Sequence, residues 1–201
     1  MEEGLKVGDT IPPFQAKDQE GFNVSEEDLI GTTVVIYFYP QNETPGCTKE
    51  ACSFRDSITT FDALATLVIG VSPDSVESNK KFIKHHKLEF SLLSDEQKEM
   101  SRRFGVLEGD KIIRSTFLID SRGIIRWIEK PVNIEGHAER VIEAIKECCP
   151  SSVIKFDDFN ADYAEFLQGG FNLEEAEKEI RERIKKKFNL QDSDVSKKKK
   201  K

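Results

Sequence analysis

The sequence predicts an α/β domain built on a mixed sheet, and three observations carry that prediction. Val34–Tyr39 and Leu67–Ser72 are short apolar runs rich in β-branched and aromatic residues, as expected of strands covered on both faces. Each is followed by a stretch that reads as helix, Thr48–Ser57 after the first and Ser75–His86 after the second. Arg114–Asp120 and Ile124–Ile128 then flank the turn Ser121-Arg122-Gly123, so an antiparallel hairpin is expected to join the alternating elements.

Taken in order, Phe14–Lys17 and Phe22–Val24 form a small hairpin around Asp18-Gln19-Glu20-Gly21. Pro40 stops the strand Val34–Tyr39, and Pro45-Gly46 is turn chemistry before the first helix. Asp74 or Ser75 offers an N-cap for the helix running to His86. Phe90–Leu93 reads as a short strand, and Glu96–Phe104 as a short helix stopped by Gly105. A final helix, His137–Cys148, carries Val141, Ala144, Ile145 and Cys148 on one face. The domain is expected to span residues 1–150.

Beyond Pro150 the composition changes, and residues 151–201 read as a charged extension. Asn172 and Glu175 make a capping box for an amphipathic helix over 172–188, and 191–201 reads as a disordered lysine-rich tail. The whole chain of 201 residues is 37% hydrophobic and 33% charged, with a formal net charge of -7, a balance that excludes a generally basic nucleic-acid binder. Its acidic amino end has no apolar stretch, so neither a secretory leader nor a transit peptide is expected, and no run is long enough for a membrane span. Four cysteines in such a chain suggest a reducing compartment, cytoplasmic or nuclear, where paired thiols are more often catalytic than structural.

The chemistry concentrates at Cys47 and Cys52. Cys47 falls at the first turn of a helix, just beyond the carboxyl end of a strand, where unpaired N–H groups and the helix dipole favour a thiolate. The Thr44 hydroxyl is placed to hydrogen-bond the sulfur or a bound oxygen, and Pro40 to cover the pocket. A guanidinium is still needed, and Arg114, opening its strand, is the candidate. Two Cα atoms five residues apart in a continuous helix lie roughly 8–9 Å from one another. A disulfide tolerates no more than about 7 Å, so the two cysteines can join only if the helix unwinds. That suits a thiol that reacts first and is then resolved by a mobile partner.

The segment from Tyr37 to Asp56, with Pro40, Thr44 and Cys47 in the pattern Pro-x-x-x-Thr-x-x-Cys, resembles the peroxiredoxins. Thr44-Pro45-Gly46-Cys47-Thr48-Lys49-Glu50-Ala51-Cys52-Ser53-Phe54-Arg55-Asp56 is similar to their PrxQ or bacterioferritin-comigratory-protein branch. Gly70–Ser75 and Arg114–Asp120 also fall where that branch has its motifs, and the likeness covers residues 4–148. It implies a thioredoxin-like fold and reduction of hydroperoxides. Cys47 would be the peroxidatic nucleophile and Cys52 the resolving cysteine of a Cys47–Cys52 disulfide, recycled by a thioredoxin-type dithiol. Thr44 and Arg114 would hold the peroxide, with Glu50 orienting Arg114 and no metal, haem or flavin required.

The remaining candidates read more plainly. Cys148 and Cys149 are expected to be packing or surface thiols. His85-His86 end a helix beside Lys84 and Lys87, where cations suit the dipole. With His137 distant, no Cys/His cluster has zinc spacing. Lys197–Lys201 is a cluster of the type that makes salt-sensitive phosphate contacts or directs nuclear import. The chain is expected to be monomeric. Two alternatives stand beside the peroxidase: a protein-disulfide reductase on the same fold, and a redox sensor tethered to chromatin by the lysine tail.

Overall fold

The computed structural model describes residues 4–149. The extension from Pro150 onward, with the expected helix 172–188 and tail 191–201, lies outside the described residues. Among the described residues nine strands and five α-helices follow one another: β1 (Gln15–Lys17), β2 (Asn23–Ser25), β3 (Thr33–Phe38), α1 (Pro45–Asp56), α2 (Ile58–Ala63), β4 (Thr66–Ser72), α3 (Val76–His86), β5 (Ser91–Ser94), α4 (Glu99–Arg103), β6 (Leu107–Glu108), β7 (Lys111–Ile112), β8 (Ser115–Ile119), β9 (Ile125–Glu129) and α5 (His137–Cys148). Among the described residues the main sheet runs in the order β2-β1-β5-β4-β3-β8-β9, with β6 and β7 forming a separate hairpin.

β3 is the hinge of this topology. It pairs in parallel with β4 on one side and antiparallel with β8 on the other, and all six of its residues are buried. That explains why its sequence is apolar without alternation. Because β8 runs opposite to β3, with Phe38 facing Ser115, the amino end of β8 sits beside the carboxyl end of β3. A residue just before Ser115 is thereby delivered to the loop that carries Cys47.

The element order of the sequence reading is retained, with instructive differences at the ends. α1 begins at Pro45, earlier than the expected Thr48, with Thr44 as its N-cap. Proline is tolerated there because a first-turn N–H has no intrahelical partner to lose. α4 starts at Glu99 and not near Glu96, because residues 95–98 form a turn closed by Lys98 N–H donating to the Asp95 carbonyl. The Asp95 carboxylate then accepts from the Met100 and Ser101 amides at 3.1 and 2.7 Å. Ser75 caps α3, accepting from the Ser78 amide at 3.2 Å. α2 and the β6–β7 hairpin were not expected; α2 is rich in β-branched residues and is held by the wholly buried Phe61.

Aromatic packing ties α1 to the sheet. Tyr37 of β3 stacks on Phe54 of α1 at 4.8 Å, and Phe54 meets Phe61 at 5.7 Å. Gly70 faces Tyr37 across the β3–β4 pair. A Cβ at Gly70 would come within 2.6 Å of Leu92 and 2.8 Å of the Tyr37 ring, so no larger residue fits beneath that tyrosine.

Candidate active site

α1 presents two faces to two environments. Cys47, Glu50, Ala51 and Phe54 recur at helical spacing and are all buried, which turns the Cys47 thiol inward at the third residue of the helix. Cys52 is five residues on, about 140° further around the axis, and is half-buried. Both thiols are unbonded and lie on one continuous helix. The geometry thus keeps the pair apart for as long as α1 is wound.

Arg114 arrives from the start of β8. Its Nη2 donates to Cys47 Sγ at 3.1 Å, while its Nη1 donates to Glu50 Oε2 in a short ion pair. The Arg114 carbonyl is held by the Val132 amide at 3.0 Å, which anchors the strand end under the 130–136 loop. Burial works against the Arg114 charge, yet Glu50 and the Cys47 sulfur outweigh it and raise its pKa above the ordinary guanidinium value. A permanent cation therefore stands against the sulfur, where an anionic thiolate would need one.

Glu50 is wholly buried, so it is no solvated helix residue. Its second oxygen lies 3.0 Å from Nδ1 of His137, at the start of α5. That approach is a close contact and not an aligned hydrogen bond, since neither atom has a hydrogen-bond partner in line. His137 is itself completely buried and packs edge-on against Phe54 at 5.1 Å. The sequence reading set His137 aside as distant. The signal was present in the α5 stripe, because His137 lies one turn before Val141 on the same inward face.

The other expected residues are placed less directly. The Thr44 hydroxyl donates to the Gln41 carbonyl at 3.2 Å, closing the loop before α1, and makes no hydrogen bond to the sulfur. Pro40 is exposed at the end of β3. Tyr37, with no hydrogen-bond partner for its hydroxyl, is pushed well above the ordinary phenol pKa, first by burial and then by Tyr39, Glu50 and Cys47. It is a neutral wall of the site. Tyr39 donates to Asn42 at 2.8 Å, and Asn42 in turn donates to Ser78 and Asn79 of α3 at 2.9 Å each. The loop between β3 and α1 is thus braced from behind. Cys149, buried beside α5, has its pKa pushed up to about 11, chiefly by burial, so it is poorly suited to act as a nucleophile.

Residues 7–128 match the AhpC/TSA family. The chain is 48% identical to the chloroplastic peroxiredoxin Q of Sedum lineare over 143 residues, covering 69% of this chain and 77% of that protein. Among solved structures, peroxidoxin BcpB of Mycobacterium tuberculosis superposes with a TM-score of 0.67 at 33% identity, over 71% of this chain and 97% of that one. The Xanthomonas campestris bacterioferritin comigratory protein, whose structure concerns its alkyl peroxide reduction activity, gives 0.64 at 32% identity, over 67% and 90% of the two chains. The chain accordingly belongs to the AhpC/TSA family, within its peroxiredoxin Q/Bcp branch.

Proposed function

We propose that this chain reduces hydroperoxides, alkyl hydroperoxides among them, through Cys47. The observation that carries the reading is the Arg114 guanidinium at 3.1 Å from a buried thiol at the first turn of α1. The Cys47 thiolate attacks the distal oxygen of ROOH, forming an S–O bond as the O–O bond breaks. The RO⁻ fragment takes a proton and leaves as alcohol, or as water when the substrate is hydrogen peroxide, and Cys47 becomes a sulfenic acid. Arg114 stabilises charge on both the attacking sulfur and the departing oxygen. The Thr44 hydroxyl, whose hydrogen is engaged by the Gln41 carbonyl, keeps a lone pair to accept a hydrogen bond from the peroxide O–H, and Pro40 borders the entrance.

Cys52 then attacks Cys47 Sγ, an S–S bond forms, and the sulfenic oxygen leaves as water. α1 has to unwind for this step, because the two thiols occupy different faces of one helix. A dithiol of the thioredoxin type returns the two electrons and restores both thiols. The enzyme acts as a monomer in this reading, and Lys197–Lys201 gives salt-dependent contact with nucleic acid and access to the nucleus. These last points rest on the sequence alone.

Mixing reduced protein with one equivalent of hydroperoxide and mapping disulfides by mass spectrometry tests the cycle. A rapid Cys47–Cys52 bond, absent in Cys47→Ser and in Cys52→Ser, supports it. Oxidation centred on Cys148 or Cys149 would overturn it.

A further inference from the structure

Behind the Cys47 loop, on the side facing α3, three side chains converge that the peroxidase chemistry does not use. Glu43 accepts from both of the last two residues of α3: its Oε1 lies 3.0 Å from His85 Nδ1 and its Oε2 3.0 Å from His86 Nε2. One donor atom from each of the three side chains lies within 4.8 Å of the other two. The imidazole rings lie close together and tilted, with centroids 4.3 Å apart and planes 33° from parallel. Lys84 and Lys87 flank the histidines in sequence, but both are exposed, and long flexible side chains carry their charge out into water.

We propose that Glu43, His85 and His86 form a binding site for one divalent transition-metal ion of the zinc class. Two imidazoles and a carboxylate are a donor set that such ions favour, with water completing the coordination. Bonds of about 2.0–2.2 Å in a tetrahedral site separate the donors by roughly 3.3–3.6 Å. The two 3.0 Å contacts fall slightly short of that spacing and all three donors lie within 4.8 Å of one another, so small side-chain rotations let an ion replace the shared hydrogens.

The ligands are also partly pre-organised. His86 packs edge-on against the fully buried Phe82 at 4.8 Å, and its carbonyl accepts from Arg55 of α1 at 2.7 Å. Glu43 sits in the left-handed backbone region, at φ 57°, immediately before the N-cap of α1. The sequence conceals this site because its third ligand lies some forty positions from the histidines, outside any zinc-finger spacing. An ion here ties the loop that carries Cys47 to the end of α3.

The test uses untagged full-length protein carrying Cys47→Ser and Cys52→Ser, so that the redox thiols cannot bind the metal. It is titrated with Zn²⁺ by calorimetry and with Co²⁺ by visible absorption. The site predicts one ion per chain and a cobalt spectrum without thiolate charge transfer. Adding His85→Ala or Glu43→Gln should weaken binding by at least about tenfold. Both residues are exposed, so neither substitution disturbs the core. No saturable binding, a thiolate signature, or affinity unchanged by both substitutions would overturn the proposal.

Discussion

Arg114 Nη2 stands 3.1 Å from Cys47 Sγ, although the two residues are 67 positions apart in the chain. The antiparallel pairing of β8 with β3 makes that meeting possible, since the strand that Arg114 immediately precedes starts where the loop leading to Cys47 begins. One guanidinium thereby serves the sulfur and, through its other nitrogen, the buried Glu50. Lysine has no second planar donor with which to do both. Arg114→Lys is expected to slow the oxidation of Cys47 by about 100- to 1000-fold, the usual cost of losing a donor to a developing anion. Stopped-flow measurement of sulfenic acid formation under single-turnover conditions checks it; a loss under tenfold would mean that the contact is not catalytic.

Cys52→Ser separates the two chemical steps. Oxidation of Cys47 should proceed at nearly the wild-type rate, because Cys52 is half-buried on another face of α1 and touches neither Arg114 nor Glu50 among the described contacts. Turnover with an external dithiol that requires the disulfide should fail. With excess peroxide, the unresolved sulfenic acid should progress to sulfinic acid, visible by mass. A slowed first oxidation would instead assign Cys52 a part in peroxide binding.

Much of this arrangement was legible in the chain. The fully buried β3 and the cysteine at its end announce themselves because burial on both faces and turn residues leave local marks. Arg114 could be nominated from its place at a strand start, but its 3.1 Å contact depends on strand register, which no local pattern specifies. Glu50 and Cys47 share the inward face of α1, a periodicity that the eye reads only after the helix start is moved back to Pro45. The Glu43–His85–His86 cluster was invisible for the same reason as Arg114: its members meet through tertiary packing. α2 was missed because Ile58-Thr59-Thr60 favours extended structure locally, and packing of Phe61 overrides that preference.

Asp120 gives a pH-dependent prediction at the turn joining β8 to β9. Burial opposes its charge, but the Ile124 and Arg122 amides donate to Oδ1 at 3.1 and 2.9 Å, and Arg126 donates to Oδ2 at 2.7 Å. Together they hold the carboxyl below its ordinary value. A pKa lower in the folded chain means that the stabilisation is complete above the unfolded value of about 3.9 and is lost as pH falls through the folded one. Asp120→Asn should therefore cost about 2 kcal/mol at neutral pH, and the gap to wild type should narrow below about pH 4. Urea denaturation of both proteins across that range is the check; a gap constant with pH would show that the charge of the carboxylate is not what stabilises the turn.

His137 acts, in this arrangement, on the residue that holds Arg114. Its ring is fully buried, meets Phe54 edge-on at 5.1 Å, and approaches the Glu50 oxygen that Arg114 leaves unused at 3.0 Å. If the imidazole served only to fill space, phenylalanine would replace it at little cost, since the pocket already accepts an aromatic ring. If it positions Glu50, removing Nδ1 frees that carboxylate to rotate, and Arg114 follows it away from the sulfur. His137→Phe is thus expected to slow Cys47 oxidation by about tenfold, equivalent to about 1.4 kcal/mol of barrier, while the closure of the disulfide by Cys52 proceeds at an unchanged rate. A structural role alone would lower the melting temperature and leave both chemical rates as they were. Single-turnover oxidation, disulfide closure and thermal melting, measured on the same variant, separate the two readings, because only a positioning residue slows the first step and spares the second.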